Sequence, residues 1–377
     1  MMMTGLSGNE IYCLAQKGWV PGNIVVGNSV YSLGFLGSLG SGMRSLAGGE
    51  VHNITQLISD GRHAAIRRLE EEAQQEEAHG LTGVTSELRS MGGLTEFLAI
   101  GSAVRGQDYK GPFFSTACSG QELYCQIDAG YEPRHFVIGN VAYALGVTRG
   151  LLGTMRRLTR RGEVKEFSDM YNHTRHLALE RLEQEAHERG ANAVVDITTR
   201  IMPFGTGIRE MLMVGTASYN PVLGPLDRPL TSELTGEELW NLTQMGYAPV
   251  RLLLGTSVYA LGLAGGITTM FSSLSRGEID PVTRLVYEAR ENCLAHIEKE
   301  AETLQADGVI GIKLFVYEIS TGLVEVMAVG TAIRRNRAVT THSEQLIPQA
   351  IIRDRDTFFD EAAPGATGPR KRELNRP

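Results

Sequence analysis

The chain has 377 residues, 36 Lys and Arg against 43 Asp and Glu, a formal charge of −7, and 42% apolar residues. That apolar share excludes an intrinsically disordered chain, and the acidic balance argues against a nucleic-acid binder working by bulk charge. At roughly 100–200 residues per domain, the length accommodates two or three domains whose cores need no disulfide or metal staple.

The start, Met1-Met2-Met3-Thr4-Gly5-Leu6-Ser7, lacks the basic stretch, apolar middle and small-residue cleavage site of a secretory signal. Cys13, Cys118, Cys125 and Cys293 are too few and scattered for a disulfide framework, and none forms a C-x-x-C pair. A reducing cytoplasm is the expected location.

The first motif, Gly8-Asn9-Glu10-Ile11-Tyr12, returns as Gly120-Gln121-Glu122-Leu123-Tyr124 and as Gly236-Glu237-Glu238-Leu239-Trp240. Further landmarks keep the same register. Tyr31-Ser32-Leu33-Gly34 matches Tyr143-Ala144-Leu145-Gly146 and Tyr259-Ala260-Leu261-Gly262; Gly49-Glu50 matches Gly162-Glu163 and Gly277-Glu278; each copy closes on Gly-Ser/Thr-Ala at Gly101, Gly215 and Gly330. The copies span 8–105, 120–219 and 236–334, and offsets of 112 and 116 residues between units of about 100 residues mark tandem domains.

Within copy two, residues 136–145 are rich in β-formers and bounded by Gly146, which predicts a strand. A Gly-rich connection with possible helical character follows. Across 168–189 the apolar residues Ala178, Leu179, Leu182 and Ala186 occupy one narrow helix face, ended by Gly190. The same stripe is Ala65, Ile66, Leu69 and Ala73 in copy one, and Cys293, Leu294, Ile297 and Ala301 in copy three. Two strands, 194–201 and 211–217, are joined by the turn residues Pro203-Phe204-Gly205-Thr206-Gly207. Residues 106–112 and 220–229, broken by Pro and Gly, read as linkers, and 335–377 as a largely disordered tail with a small basic cluster. The expected fold is α+β: three tandem βαββ two-layer sandwiches packed around a pseudo-rotational axis.

The order of elements, the Tyr-x-Leu-Gly segment after the first strand, the Glu-x-Glu-Ala helix followed by Gly-Ala-Asn-Ala-Val, and the closing Val-Gly-Thr-Ala resemble the YbjQ-like family, also labelled a heavy-metal-binding domain. The resemblance covers all three copies. It implies a small βαββ domain assembling through sheets and helices into a ring, pentameric in family members, with no established enzymatic activity. Three does not divide five, so that ring does not carry over to three fused copies.

Several residues recur where chemistry would need them. Glu70, Glu183 and Glu298, and two positions on Glu72, Glu185 and Glu300, flank the helix stripe on opposite sides and do not converge on one point as an acid/base pair must. Arg62, Arg175 and Arg290 fall in line with the stripe's centre, where a buried guanidinium needs a partner. One reading is an Arg lying over a sheet edge or pairing across a domain interface. The sharper one is an anion site in a cleft between copies, helped by Tyr31, Tyr143 and Tyr259.

For metal, His173 and His176 form the one local pair with ligand spacing, H-x-x-H on a helix face, whereas Cys13 and Cys125 meet Asn241 in copy three and His63 and His176 meet Glu291. No G-x-S-x-G, P-loop or H-E-x-x-H motif occurs. Charge-free runs at 18–43 and 252–275 are long enough to span a bilayer, but Arg149, Arg156 and Arg157 occupy the equivalent element of copy two, leaving peripheral contact through Phe35, Leu36 and Leu39. The expected function is a non-enzymatic, self-associating assembly or binding protein with no resident cofactor and no nucleic-acid partner. The alternatives are a sensor of metal or anionic ligand, with a divalent or heavy metal bound, and a peripheral membrane assembly.

Overall fold

The computed structural model of the chain describes residues 1–32, 49–144, 162–204, 207–260, 280–320, 323–347 and 358–359. Copy one comprises α1 (Gly8–Ala15), β1 (Trp19–Ser32), β2 (Gly49–Glu50), α2 (His52–Gln75), β3 (Gly80–Met91) and β4 (Leu94–Gly106), followed by β5 (Phe114–Ser115). Copy two repeats it as α3 (Gly120–Asp128), β6 (Glu132–Ala144), β7 (Gly162–Glu163), α4 (Lys165–Glu188), β8 (Ala193–Pro203) and β9 (Ile208–Tyr219), with β10 (Leu230–Thr231) after it. Copy three supplies α5 (Gly236–Gln244), β11 (Tyr247–Ala260), α6 (Asp280–Thr303), β12 (Gly308–Ser320) and β13 (Leu323–Arg335), and β14 (Phe358–Phe359) lies beyond. These are three repeated α+β regions.

Each region carries more than the expected βαββ set. The short helices α1, α3 and α5 begin in capping boxes: the Ser7, Ser119 and Thr235 hydroxyls each accept from the backbone N–H three residues on, and Glu10, Glu122 and Glu238 accept in return. The sheets run β1-β4-β3-β5, β10-β8-β9-β6-β2 and β14-β12-β13-β11-β7, so they hold four or five strands rather than three. Two of the extra strands, β5 and β10, come from chain that joins the copies, and two, β2 and β7, from within the preceding copy. β5 and β10 return parallel to β3 and β8, while β2 leaves copy one to pair antiparallel with β6, Glu50 opposite Tyr143, and β7 leaves copy two to pair with β11, Glu163 opposite Tyr259. The third dipeptide of that type, Gly277-Glu278, lies outside the described residues.

The long helices sit between sheets. β6 is buried on both faces because successive side chains alternate sides: Val137, Val141 and Tyr143 pack on α4, and Phe136, Ile138 and Ala142 pack under α2 of the preceding copy. α4 in turn lies under Leu252, Leu254 and Val258 of β11. The contacts thus follow the order sheet one, α2, sheet two, α4, sheet three, α6.

The helix backbone comes close to its own sheet at Gly27, Gly139 and Gly255. A Cβ at Gly139 would stand 2.0 Å from the Ala178 carbonyl oxygen, and one at Gly27 2.0 Å from that of Ala65. Only glycine admits that approach.

The ends of the stack differ from its middle. Ile24, Val26 and Val30 of β1 are 43%, 46% and 49% exposed, whereas their equivalents Phe136, Ile138 and Ala142 are at most 4% exposed. Among the described residues no long helix covers that face of sheet one as α2 covers that of sheet two. At the other end Tyr287 of α6 is 62% exposed.

The segment expected to open a loose tail is packed: Val339 is buried beside Tyr124 and Trp240, with Leu346 and Ile347 against the same cluster. The charge-free runs divide between strand and undescribed chain, since β1 covers 19–32 and β11 runs to Ala260, while Phe35, Leu36, Leu39, Arg149, Arg156 and Arg157 lie outside the described residues. Among the described residues no helix is long and apolar enough to cross a membrane.

Candidate functional site

Of the residues singled out by recurrence, Arg62, Arg175, Tyr143, Glu185 and Glu300 lie at the two places where a long helix meets the next sheet. In the first junction, Arg62 projects from α2 toward β9 of copy two. Its Nε donates to Glu210 Oε1 at 2.9 Å and its Nη2 to Oε2 at 2.7 Å, a two-bond fork, while Nη1 donates to Ser86 Oγ at 2.9 Å. Both side chains are fully buried. A guanidinium out of water is tolerated only with such matched acceptors.

The second junction repeats the pair with Arg175 of α4 and Glu325 of β13, Nη2 to Oε1 at 2.7 Å. Here Tyr143 contributes too: its hydroxyl accepts from Arg175 Nη2 at 2.9 Å, and its ring and that of Tyr171 lie 4.6 and 5.3 Å from the guanidinium carbon. Burial opposes the Arg175 charge, but Glu325 and Tyr143 outweigh it and hold the pKa above the ordinary arginine value. The fit is less complete than in the first junction, since Arg175 Nε and Nη1 and Glu325 Oε2 are buried without hydrogen-bond partners.

Arg290 occupies the same place on α6, with no further sheet beyond it among the described residues. Its Nε is buried and has no hydrogen-bond partner. The acid equivalent to Glu210 and Glu325 is Glu96 of β4, at the opposite end of the stack, half-buried and accepting from Asn28 Nδ2 at 3.2 Å.

The tyrosines do not share one environment. Tyr31 packs edge-on against Phe97 with ring centres 5.6 Å apart, Tyr143 is wholly buried beside Arg175, and the Tyr259 hydroxyl accepts from Asn292 Nδ2 at 2.7 Å.

Around each buried pair lies a polar rim. His63 Nε2 stands 3.2 Å from Glu185 Oε1 across the first junction, and His176 Nε2 stands 3.5 Å from Glu300 Oε2 across the second. The hydrogen bonds that the imidazoles donate to Glu185 and Glu300 raise their pKa values above the usual 6.5, against the opposing effect of burial. Glu185 also accepts from the Ile138 N–H at 2.8 Å, and Glu72 does the same for Val26 in copy one. Glu183 meets Arg228 and Arg251, and Glu70 accepts from the Ser115 hydroxyl.

The donor set does not fit a heavy-metal site. His173 is exposed, while His176 faces the Asn172 carbonyl with one ring nitrogen and Glu300 with the other, so the pair does not converge. All four thiols are buried, and burial pushes Cys13 up to about 11 and Cys293 to about 12, away from the thiolate that a soft metal binds. Among the described residues no group of three or more His, Cys, Asp and Glu is placed to hold a metal ion. A shallow groove of about 430 Å³ beside Met245, Arg337 and His342 contains none of the predicted site residues.

Sequence reasoning missed Glu210 and Glu325. Each interrupts an apolar strand at a position whose i+2 neighbour is apolar, Leu212 and Met327, and a lone carboxylate on a buried strand face demands a cation opposite.

Comparison with known proteins gives a consistent picture. The YbjQ family model, described as "Putative heavy-metal-binding", matches residues 20–107, 130–220 and 246–336. The chain is 33% identical over 224 residues to an encapsulin nanocompartment protein of Mycobacterium tuberculosis, covering 56% of this chain and 83% of that protein. It is 37% identical over 98 residues to a UPF0145 protein of Thermoplasma acidophilum, 24% of this chain and 82% of that one. A UPF0145 protein of Thermotoga maritima is 39% identical over 80 residues, 21% of this chain and 76% of its own length.

Proposed function

From the premise that this chain belongs to the YbjQ family, with three matches in tandem, we propose that it is a non-enzymatic assembly protein that works as an oligomer in a reducing compartment. One observation carries the reading. The buried arginines and the half-buried histidines at the junctions, the groups best suited to bind or react, are engaged in holding one copy to the next. Such a device builds layers and, among the described residues, leaves Arg62 and Arg175 wholly buried at the two internal junctions. The Mycobacterium tuberculosis relative, named for a nanocompartment, supports a role in a larger protein structure.

The anionic-ligand alternative rests on Arg290 alone, since Arg62 and Arg175 already hold carboxylates. The metal alternative has no converging donor set among the described residues. The membrane alternative rests on Phe35, Leu36 and Leu39, which lie outside the described residues. The arrangement of the copies around a pseudo-rotational axis remains part of the proposal.

Light scattering coupled to gel filtration tests the assembly reading. The expected mass is a multiple of the 41.1 kDa chain over a range of concentrations. A mass of one chain at every concentration overturns it.

A further inference from the structure

The stack ends in two surfaces that its own interior shows how to join. In both internal junctions the outward stripe of a long helix, with Arg62 or Arg175 at its centre, covers the outer face of the next copy's sheet and meets an acid on that sheet's middle strand. At one end of the chain the same helix stripe is left over. Val286, Arg290 and Leu294 repeat the spacing of Ile58, Arg62 and Ile66; all three are partly exposed, and the Arg290 Nε is buried without a hydrogen-bond partner. At the other end the same sheet face is left over. Ile24, Val26 and Val30 are exposed, and Glu96 holds the register position of Glu210 and Glu325.

We infer that the occupant of each open end is a second copy of this chain: α6 of one chain covers sheet one of the next, and Arg290 pairs with Glu96 across the contact. The inference deepens the assembly reading and rests on it. Charge complementarity and the repetition of two established junctions choose the partner, because the surface needed by α6 is the one that sheet one presents. The contact is heterologous, head to tail, and such contacts close into rings or extend as filaments.

One position sets this contact apart from the internal two. Glu291 stands where His63 and His176 face Glu185 and Glu300, so the new junction brings Glu291 toward Glu72 and lacks the imidazole bridge. The intermolecular contact is therefore weaker than the internal ones.

Charge reversal with rescue is the test, read as mass by light scattering on the full chain. Arg290→Glu alone sets acid against acid, and Glu96→Arg alone sets Arg against Arg, so each variant is expected at the mass of one chain. Mixed in equal amounts they restore both alternating pairs, Glu at 290 with Arg at 96 and Arg290 with Glu96, and a mass of two or more chains returns, in even numbers where the assembly is a closed ring. Val26→Lys, on the open face of β1, serves as a further variant should a charge reversal fail to fold. It is expected at single-chain mass with no rescue by either partner.

Variants that keep the wild-type mass, or a folded mixture that stays at the mass of one chain, overturn the junction while leaving the assembly reading in place. A wild-type protein of single-chain mass overturns both.

Discussion

Arg175 and Glu325 are fully buried, joined by one hydrogen bond of 2.7 Å, with three of their polar atoms unpartnered. Removing one member leaves the other charged in a medium that cannot solvate it, a loss of about 3–5 kcal/mol. Arg175→Ala is therefore expected to lower the denaturation midpoint sharply in a urea titration. The double variant Arg175→Met/Glu325→Leu, with no charge left, is expected to recover most of it, and a double variant as unstable as the single one contradicts this account. The sequence placed Arg175 at the centre of an apolar helix face and required a partner for it. That much was legible, because the requirement is local. The partner's identity was not, because Glu325 lies 150 residues away and the pairing depends on how the copies dock.

The long helices and the two strands after each were legible because their period is written in the chain: the helix expected at 168–189 forms as Lys165–Glu188, and the strand expected at 194–201 as Ala193–Pro203. The short helices carried a readable signal in Ser7 with Glu10, Ser119 with Glu122 and Thr235 with Glu238, a pattern that announces a helix start. β2 and β7 carried none. Two residues give no period, and their pairing is with the following copy.

At the helix-to-sheet rim, His63 and His176 have pKa values raised above 6.5 by Glu185 and Glu300. A group whose folded pKa is raised contributes stability that is fully present below its unfolded value and is lost as pH rises through the folded one. Thermal melts are thus expected to show the two junctions weakening from about pH 6.5 upward. In the double variant His63→Gln/His176→Gln that slope is expected to flatten, and an unchanged slope places the titration elsewhere.

Over the whole molecule, the three short helices and the packed start of the tail meet at one acid. The buried Asp128 carboxylate of α3 accepts from Lys17 just after α1, from Trp240 Nε1 of α5 at 2.8 Å, and from the Ser343 N–H and hydroxyl at 3.0 and 2.8 Å. Burial raises its pKa, but those donors outweigh it and hold the group below the usual carboxylate value. Each copy and the segment after the third are tied through this side chain. Asp128→Ala is expected to destabilise the chain by about 3 kcal/mol, read as a lower urea midpoint, and to free residues 336–347 for rapid hydrogen exchange. Unchanged exchange there shows that Val339 and its apolar neighbours hold the segment without the acid.

The alternation of sheet and helix also governs the order in which the chain emerges from a ribosome. α2 is complete at Gln75, yet the strand that shields its outward face, β6, ends at Ala144, and α4 waits in the same way for β11. At about 5–20 residues per second, each helix spends several seconds with a greasy flank and a lone guanidinium facing water. Slowing translation between copies lengthens that interval, so the boundaries at 106–112 and 220–229 are where codon choice and chaperone capture bear most on yield.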